Sequence, residues 1–322
     1  MDRKRQLEHA GWTKNLLQAG SVQPGESVLV VVEETLVEEG SQLAAAAADA
    51  GASPRLELWA GKRPLERPPP SVRKAAATAN LAVLLAENPL PDEVNARFEW
   101  GTSVTRHGGR AVFLAFVDGE LLRGELSQPM PDLADAANDL LDRLEGSSKI
   151  RVRSKGGTDL TLRVDGRPWR TDARPLEPGE IANFPGGEIF VAPHSDGADG
   201  VLVVDLTVPY TVGGLVDEPV TIRFEEGRVT SINGGRAAQM LRELVADAGT
   251  GADVIAELGI GFNPAVAPRG HIMLDEKASG TAHVAIGRNT GAYGGDNEAS
   301  IHVDCVFSDP EIEADGRAVP VP

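Results

Sequence analysis

Two glycine-flanked segments near the C-terminus carry residues whose types and spacing are suited to chemistry. In residues 299–307 (ASIHVDCVF) polar and apolar residues alternate as in a half-buried strand, so His302 and Asp304 share one face. His283 lies in a second strand-like segment, residues 279–287 (SGTAHVAIG). Pairing of the two segments would bring two imidazoles and a carboxylate together, which is a ligand set that suits a divalent metal of borderline softness.

Two further carboxylates occupy glycine-rich, strand-like sequence. Glu188 follows a Pro-Gly-Gly turn in NFPGGEIFVAP, so it stands at the start of a strand, and Glu257 begins ELGIGFNP. Together with the two histidines and the aspartate they make five nitrogen and oxygen ligands, about the number that a two-metal hydrolase needs.

Each of these residues also has an ordinary structural interpretation. A histidine on a strand is more often a packed residue than a ligand, and a carboxylate at a strand start is usually solvated. The same two possibilities apply to LDEK (residues 274–277), which is either an acid–base partner or a charged turn, and to His194. A catalytically silent protein whose histidines merely pack therefore stays open as an alternative.

Composition excludes several classes of protein. The net charge of −17 argues against a nucleic-acid partner and against an anionic membrane surface. The single cysteine excludes an intrachain disulfide and a cysteine-based zinc cluster, and no Gly-x-Ser-x-Gly motif supports a serine nucleophile. The charged N-terminus and the absence of a long apolar run predict a soluble, cytoplasmic protein.

The acidic residues outnumber the basic ones, 48 to 31, and only seven of the basic residues are lysines. An acidic, lysine-poor surface suggests adaptation to high salt, although acidity is also explained by solubility alone.

The first half of the chain alternates strand-like and helix-like segments. Apolar runs near residues 27–34, 54–60, 81–87 and 111–116 are separated by helical patterns, which predicts a parallel sheet flanked by helices. Neither a Gly-x-Gly-x-x-Gly turn nor a P-loop motif is present, so a nucleotide-binding role is disfavoured.

The pattern changes near residues 146–148. Short strands and turns follow, including a hairpin with its turn at Glu226-Gly227 and one helix over about 236–248. The sequence therefore predicts an α/β domain over residues 1–147 and an α+β, mostly antiparallel catalytic domain over 148–322.

The order of GEIFVAP, ELG, HVAIG and SIHVD resembles the metallo-aminopeptidases called aminopeptidase T and aminopeptidase S, over about residues 183–307. This resemblance implies a dimeric enzyme that holds zinc or cobalt, one or two ions per chain, and cleaves peptides with a free N-terminus. The ligands that it implies are Glu188, Glu257, His283, His302 and Asp304. A glutamate that is unligated or released from the metal would shuttle the proton, and Glu188 is the candidate for this role. The family's tyrosine is missing at its usual distance after the first histidine, and Tyr293 is either its substitute or a turn tyrosine in GAYGGD.

The chain also resembles the iron-dependent 2,5-dihydroxypyridine 5,6-dioxygenases. In that case His283, His302 and Asp304 would hold one iron as a facial triad, leaving open positions for oxygen and a chelating substrate. A metal-dependent aminopeptidase is the leading hypothesis and a ring-cleaving dioxygenase is the alternative. The number of bound ions would distinguish them, because the aminopeptidase site would hold two and the dioxygenase site one.

Overall fold

The computed structural model describes residues 3–322, with side chains from Gly11 onward. Helices α1–α8 comprise Arg3–Ala19, Val37–Asp49, Pro70–Ala76, Val94–Thr105, Gly119–Arg123, Ala134–Leu144, Arg236–Ala248 and Ile272–Asp275. Strands β1–β9 comprise Ser27–Val32, Ser53–Leu58, Leu81–Ala86, Arg110–Ala115, Lys149–Ser154, Asp159–Arg163, Arg170–Thr171, Ile181–Asn183 and Glu188–Val191. Strands β10–β17 comprise Ala198–Val204, Val220–Glu225, Arg228–Asn233, Ile255–Gly261, Thr281–Gly287, His302–Ser308, Pro310–Ala314 and Arg317–Val319. None of the described helices combines the length and apolar character that crossing a bilayer requires.

Contacts divide the chain into two compact units. One contains the residues up to Pro131 together with Arg174–Gly186, and the other contains Asp132–Ala173 together with Gly187–Pro322. A boundary between residues 147 and 148, as expected from the sequence, would leave α6 in the first domain. In the structure α6 belongs to the second unit, because its apolar face joins the core that also contains Ile150 of β5.

The first unit contains a five-stranded sheet in the order β2-β1-β3-β4-β8, with every pair parallel. The central strands β1 and β3 are almost entirely buried, as expected of apolar strands covered by helices on both faces. The predicted parallel, helix-flanked sheet is therefore confirmed. Strand β8 was not predicted, because three residues without an apolar run give no strand signal.

The second unit contains two antiparallel sheets that share one hydrophobic core with α6 and α7. The seven-stranded sheet runs β12-β11-β10-β6-β5-β16-β17, and the five-stranded sheet runs β15-β14-β13-β9-β7. The predicted hairpin turn joins β11 to β12, and both Glu226 and Gly227 have positive φ (48° and 77°), as a tight hairpin turn requires. The mostly antiparallel second half is thus confirmed.

Candidate metal centre

Strand pairing in the five-stranded sheet places the candidate residues on one face. Residues directly opposite each other on antiparallel strands share a face, and the register pairs Gly259 with His283 and Ala285 with Asp304. Glu188 pairs with Gly261, two residues from Gly259 on the same face of β13. The opposite face of the sheet packs into the hydrophobic core, so polar side chains are gathered on one side only.

The absence of a side chain at Gly259 in β13 allows the ring of His283, on the neighbouring strand β14, to lie over β13. A Cβ atom at position 259 would lie 2.0 Å from Cε1 and 2.2 Å from Nε2 of His283. The imidazole therefore lies against the backbone of β13, in space that only a glycine leaves free. This placement brings Nε2 of His283 within 3.5 Å of Oε2 of Glu188, on the strand beyond.

The five side chains form two groups that share one carboxylate. In the first group, Nε2 of His283 lies 3.5 Å from Oε1 of Glu257, in addition to its contact with Glu188. In the second group, Nε2 of His302 lies 3.3 Å from Oε2 of Glu257 and 3.1 Å from Oδ1 of Asp304. Glu257 thus offers one oxygen to each group, and in each group the ligand atoms lie within 4.8 Å of one another.

The chemistry of these atoms fits a divalent cation. Nδ1 of His302 lies 2.6 Å from the carbonyl oxygen of Arg288, which can accept a hydrogen bond from it. In that tautomer Nε2 carries no hydrogen and its lone pair is available to a metal, which is the usual arrangement of a metal-binding histidine. In the described part of the chain, Oε2 of Glu188 and Oε2 of Glu257 are buried and form no hydrogen bond of ordinary geometry, although histidine ring nitrogens lie 3.5 and 3.3 Å away. Such oxygens are costly to bury, and a bound cation would satisfy them.

A buried lysine lies beside the first group. The side chain of Lys277 is fully buried, and its Nζ lies 3.0 Å from Oδ2 of Asp172 and 3.0 Å from Oε1 of Glu276, and also pairs with Oε1 of Glu188. LDEK is therefore not a solvated charged turn, because Glu276 and Lys277 are buried and Lys277 pairs with the candidate ligand Glu188. Asp172 was missed by the sequence analysis, since nothing in its local sequence distinguishes it.

The charged groups shift each other's pKa in the metal-free protein. Burial by itself would lower the pKa of His283, but Glu257 and Glu188 raise it to about 9. Burial would likewise raise the pKa of Asp304, but the neighbouring His302 holds it at about 2. The pKa of Lys277 is raised well above its usual range because three carboxylates outweigh the effect of burial. In the metal-free protein the two histidines and the carboxylates Glu257 and Asp304 thus favour each other's charged forms, whereas burial raises the pKa of Glu188 well above its usual range.

Tyr293 also reaches the site. Its ring stacks on that of His302, with centroids 4.7 Å apart and planes 26° apart, and meets the edge of Phe190 at 5.7 Å. His194 does not join the five residues: its Nε2 lies 2.9 Å from the carbonyl oxygen of Asp165, and its Nδ1 faces Arg167.

Comparison with known proteins gives two kinds of relative. The model of the family NicX (2,5-dihydroxypyridine 5,6-dioxygenase) matches residues 9–321. Aminopeptidase T of Thermus aquaticus is 29% identical over 184 residues, which are 50% of this chain and 43% of that protein. The chain thus spans less than half the length of this curated relative in the alignment.

Two solved structures have the same fold over nearly the whole chain. The structure of 2,5-dihydroxypyridine dioxygenase from Pseudomonas putida KT2440 superposes with a TM-score of 0.78 at 22% identity, covering 97% of this chain and 96% of that one. Wild-type AmpT from Thermus thermophilus gives a TM-score of 0.68 at 20% identity, covering 99% and 98%. Because the family model extends over almost the full sequence, the chain belongs to the 2,5-dihydroxypyridine 5,6-dioxygenase family, whose fold it shares with aminopeptidase T.

Proposed function

We propose that the chain is a metal-dependent aminopeptidase that holds two divalent cations. The observation that carries this proposal is the position of Glu257 between the two ligand groups. One of its oxygens lies beside His283 in the group that contains Glu188, and the other lies beside His302 in the group that contains Asp304. A carboxylate shared between two ligand groups is typical of two-metal hydrolases. The similarity to aminopeptidase T supports a peptide with a free N-terminus as the substrate.

The charge of the buried cluster supports two ions over one. Five carboxylates and one lysine carry four net negative charges when every carboxylate is ionised and both histidines are neutral, as metal ligation requires. These residues are Asp172, Glu188, Glu257, Glu276, Lys277 and Asp304. Burial raises the pKa of Glu188 well above its usual range and also raises that of Glu276, and the positive charge of a bound cation would oppose this effect. Two divalent cations balance the net negative charge, whereas one leaves two negative charges uncompensated in a buried site, which is unfavourable.

Bound divalent cations would polarise the scissile carbonyl and lower the pKa of water. The chain's own residues would do the rest. Glu188, when its Oε2 is released from the metal, would take the proton of the attacking water and pass it to the leaving amine, which is general acid–base catalysis by a positioned carboxylate. Tyr293, whose phenol is protonated at neutral pH, would donate a hydrogen bond to the substrate beside His302.

The second candidate is a mononuclear iron dioxygenase that cleaves an aromatic ring. It is favoured by the family match and by the TM-score of 0.78 to the dioxygenase. In this case His283, His302 and Asp304 would hold the iron. Oδ1 of Asp304 lies 3.9 Å from Nε2 of His283 and 3.1 Å from Nε2 of His302, so these three residues also converge.

Metal analysis combined with two activity assays tests both candidates. Chelator-treated protein is reloaded with Zn²⁺, Co²⁺ or Fe²⁺, and its metal content is measured. Hydrolysis of aminoacyl anilides and oxygen uptake with 2,5-dihydroxypyridine are then followed. We expect two ions per chain and hydrolysis with Zn²⁺ or Co²⁺. One iron with oxygen uptake would instead establish the dioxygenase, and no bound metal would contradict both.

Replacement of His302 by Ala should abolish activity and remove at least one ion. The exposed His107, replaced by Ala, is the matched control and should change neither. Full metal content in His302→Ala would exclude His302 as a ligand.

A further inference from the structure

The two halves of the candidate site are not equivalent. The Asp304 half consists of Oε2 of Glu257, Nε2 of His302 and Oδ1 of Asp304, and the Glu188 half consists of Oε2 of Glu188, Oε1 of Glu257 and Nε2 of His283. In the Asp304 half, the second ring nitrogen of His302 is held by a backbone carbonyl. In the Glu188 half, Nδ1 of His283 is buried, and no described group forms a hydrogen bond with it.

A fixed positive charge pairs directly with a ligand of the Glu188 half, and it acts on Asp304 only from a greater distance, as one of several charges that lower the pKa of that carboxyl. Nζ of Lys277 pairs with Glu188, Asp172 and Glu276, whereas the described ion pairs of up to 4.0 Å include none between Lys277 and Glu257 or Asp304. Lys277 is tied down at its backbone as well, since its N–H donates to the carbonyl of Leu274 and its carbonyl accepts from the N–H of Asn263.

Glu188 is consequently held in one orientation. Its Oε1 pairs with Lys277, so only Oε2 faces His283. Asp172 reinforces this orientation: its Oδ1 accepts from the N–H groups of Gly187 and Glu188, at 2.8 and 3.0 Å, while its Oδ2 contacts the same ammonium. The lysine and the backbone of the Gly187–Glu188 turn are thus joined through a single carboxylate.

We propose that Lys277 is a built-in cation that makes the two halves bind metal unequally. It limits Glu188 to one free oxygen, and its charge opposes a second divalent ion bound to that oxygen. The ammonium and such an ion would contact the two oxygens of one carboxylate in a buried site, where repulsion between charges a few ångströms apart is strong. The Asp304 half therefore fills first and the Glu188 half holds a weaker, exchangeable ion. This inference rests on the two-ion part of the proposed function and not on the reaction catalysed.

Calorimetric titration of chelator-treated protein with Co²⁺ tests the inference without an activity assay. We expect the wild type to bind two ions, the second at least about tenfold more weakly than the first, as expected for an ion held close to a like charge. Lys277→Met, a neutral residue of similar length, should tighten the second ion by roughly tenfold or more and leave the first nearly unchanged. Lys277→Arg keeps the charge and should preserve the difference.

Two further variants retain Lys277 and decide the question even if Lys277→Met does not fold. Glu188→Gln should remove the weak binding event, and Asp304→Asn should remove the tight one. Loss of the tight event in Glu188→Gln, equal affinities in the wild type, or an unchanged difference in folded Lys277→Met would overturn the inference. A wild type that binds one ion or none would overturn the two-ion proposal as well, whereas two unequal ions without hydrolysis would refute the peptidase activity alone.

Discussion

The ring of His283 lies against the backbone of Gly259 in the neighbouring strand β13. Nothing but hydrogen can occupy the space between them, because a Cβ would overlap the imidazole at 2.0 Å. The residue that determines the position of this candidate ligand is therefore one with no functional group. Lys277, in contrast, has a charged group, which is buried among three carboxylates and holds one of them, the candidate ligand Glu188, in place.

Replacing Gly259 by Ala should displace His283. We expect the loss of one of the two bound ions, a large loss of activity, and a decrease in the free energy of unfolding of about 1–3 kcal/mol, as is usual for overpacking. Metal analysis and urea denaturation measure these effects. Gly214→Ala is the matched control, because a Cβ there meets no described atom within 4 Å. Unchanged metal content in Gly259→Ala would show that the ring of His283 does not need this position.

Substitutions of Tyr293 can separate the contribution of its stacked ring from that of its hydroxyl group. Tyr293→Phe keeps the ring that stacks on His302 and should therefore leave metal affinity unchanged. If the phenol donates a hydrogen bond during the reaction, kcat should fall by about 10²-fold. Tyr293→Ala should weaken metal binding as well, because His302 loses its neighbour. Full kcat in Tyr293→Phe would exclude a catalytic role for the hydroxyl.

The elements of the five-stranded sheet bring together residues that are far apart in sequence. Strands β9, β13, β14 and β15 each contribute one or two of the five candidate ligands, and the segment after α8 contributes Glu276 and Lys277. Strand register is the feature that matters here, because a slip of one residue would turn every one of these side chains to the opposite face. The core packed on the other face keeps the register in place.

Helix α7 depends on a residue outside it. Gly235 precedes the helix and has no side chain to cap it, so Asp217 does so instead: its Oδ2 and Oδ1 accept from the N–H groups of Arg236 and Ala237, at 2.9 and 3.2 Å. The first N–H groups of a helix have no partners within it, and a negative charge there is favourable. Asp217→Ala should therefore lower the urea midpoint at neutral pH, and Glu218→Ala, which removes the neighbouring exposed charge, should not.

The same contact predicts a pH dependence. The two backbone hydrogen bonds lower the pKa of Asp217 from its usual value. A carboxyl whose pKa is lowered on folding adds stability above its unfolded pKa of about 3.9, and that contribution is lost as the pH falls through the lower folded value. The difference between wild type and Asp217→Ala should thus shrink below about pH 4. A difference that is the same at acidic and neutral pH would show that the charge is irrelevant.

The whole molecule carries a net charge of −17. Salt screens the repulsion among the excess carboxylates and also weakens surface ion pairs, but each exposed pair contributes only about 0–1 kcal/mol. The repulsion extends over the whole surface, so its screening should dominate. We expect the midpoint of thermal unfolding to rise between about 0.1 M KCl, where the screening length is about 10 Å, and about 2 M KCl, where it is below about 3 Å. Choline chloride should produce the same rise if screening is the cause, and no rise with either salt would remove the inference of salt adaptation.

Much of the candidate site follows from local sequence. Alternation in IHVDC predicts that His302 and Asp304 share a face and that Cys305 does not, and the structure has Cys305 fully buried in the core. The parallel first sheet and the hairpin at Glu226-Gly227 are likewise predicted by short-range patterns of apolar residues and turn formers. Such features depend only on residues within a few positions of one another, so they can be inferred from the sequence.

The partners of these residues were decided by the tertiary structure. Lys277 and Glu188 are 89 positions apart, and Asp172 is further still from that lysine, yet the three charges meet in one buried cluster. The role of Gly259 and the assignment of α6 to the second unit depend in the same way on which strands and helices pack together. The sequence alone determined which side chains face the same way along each strand, because that depends on backbone geometry. Only strand pairing and core packing determined which of them touch, because these contacts join segments that no local pattern relates.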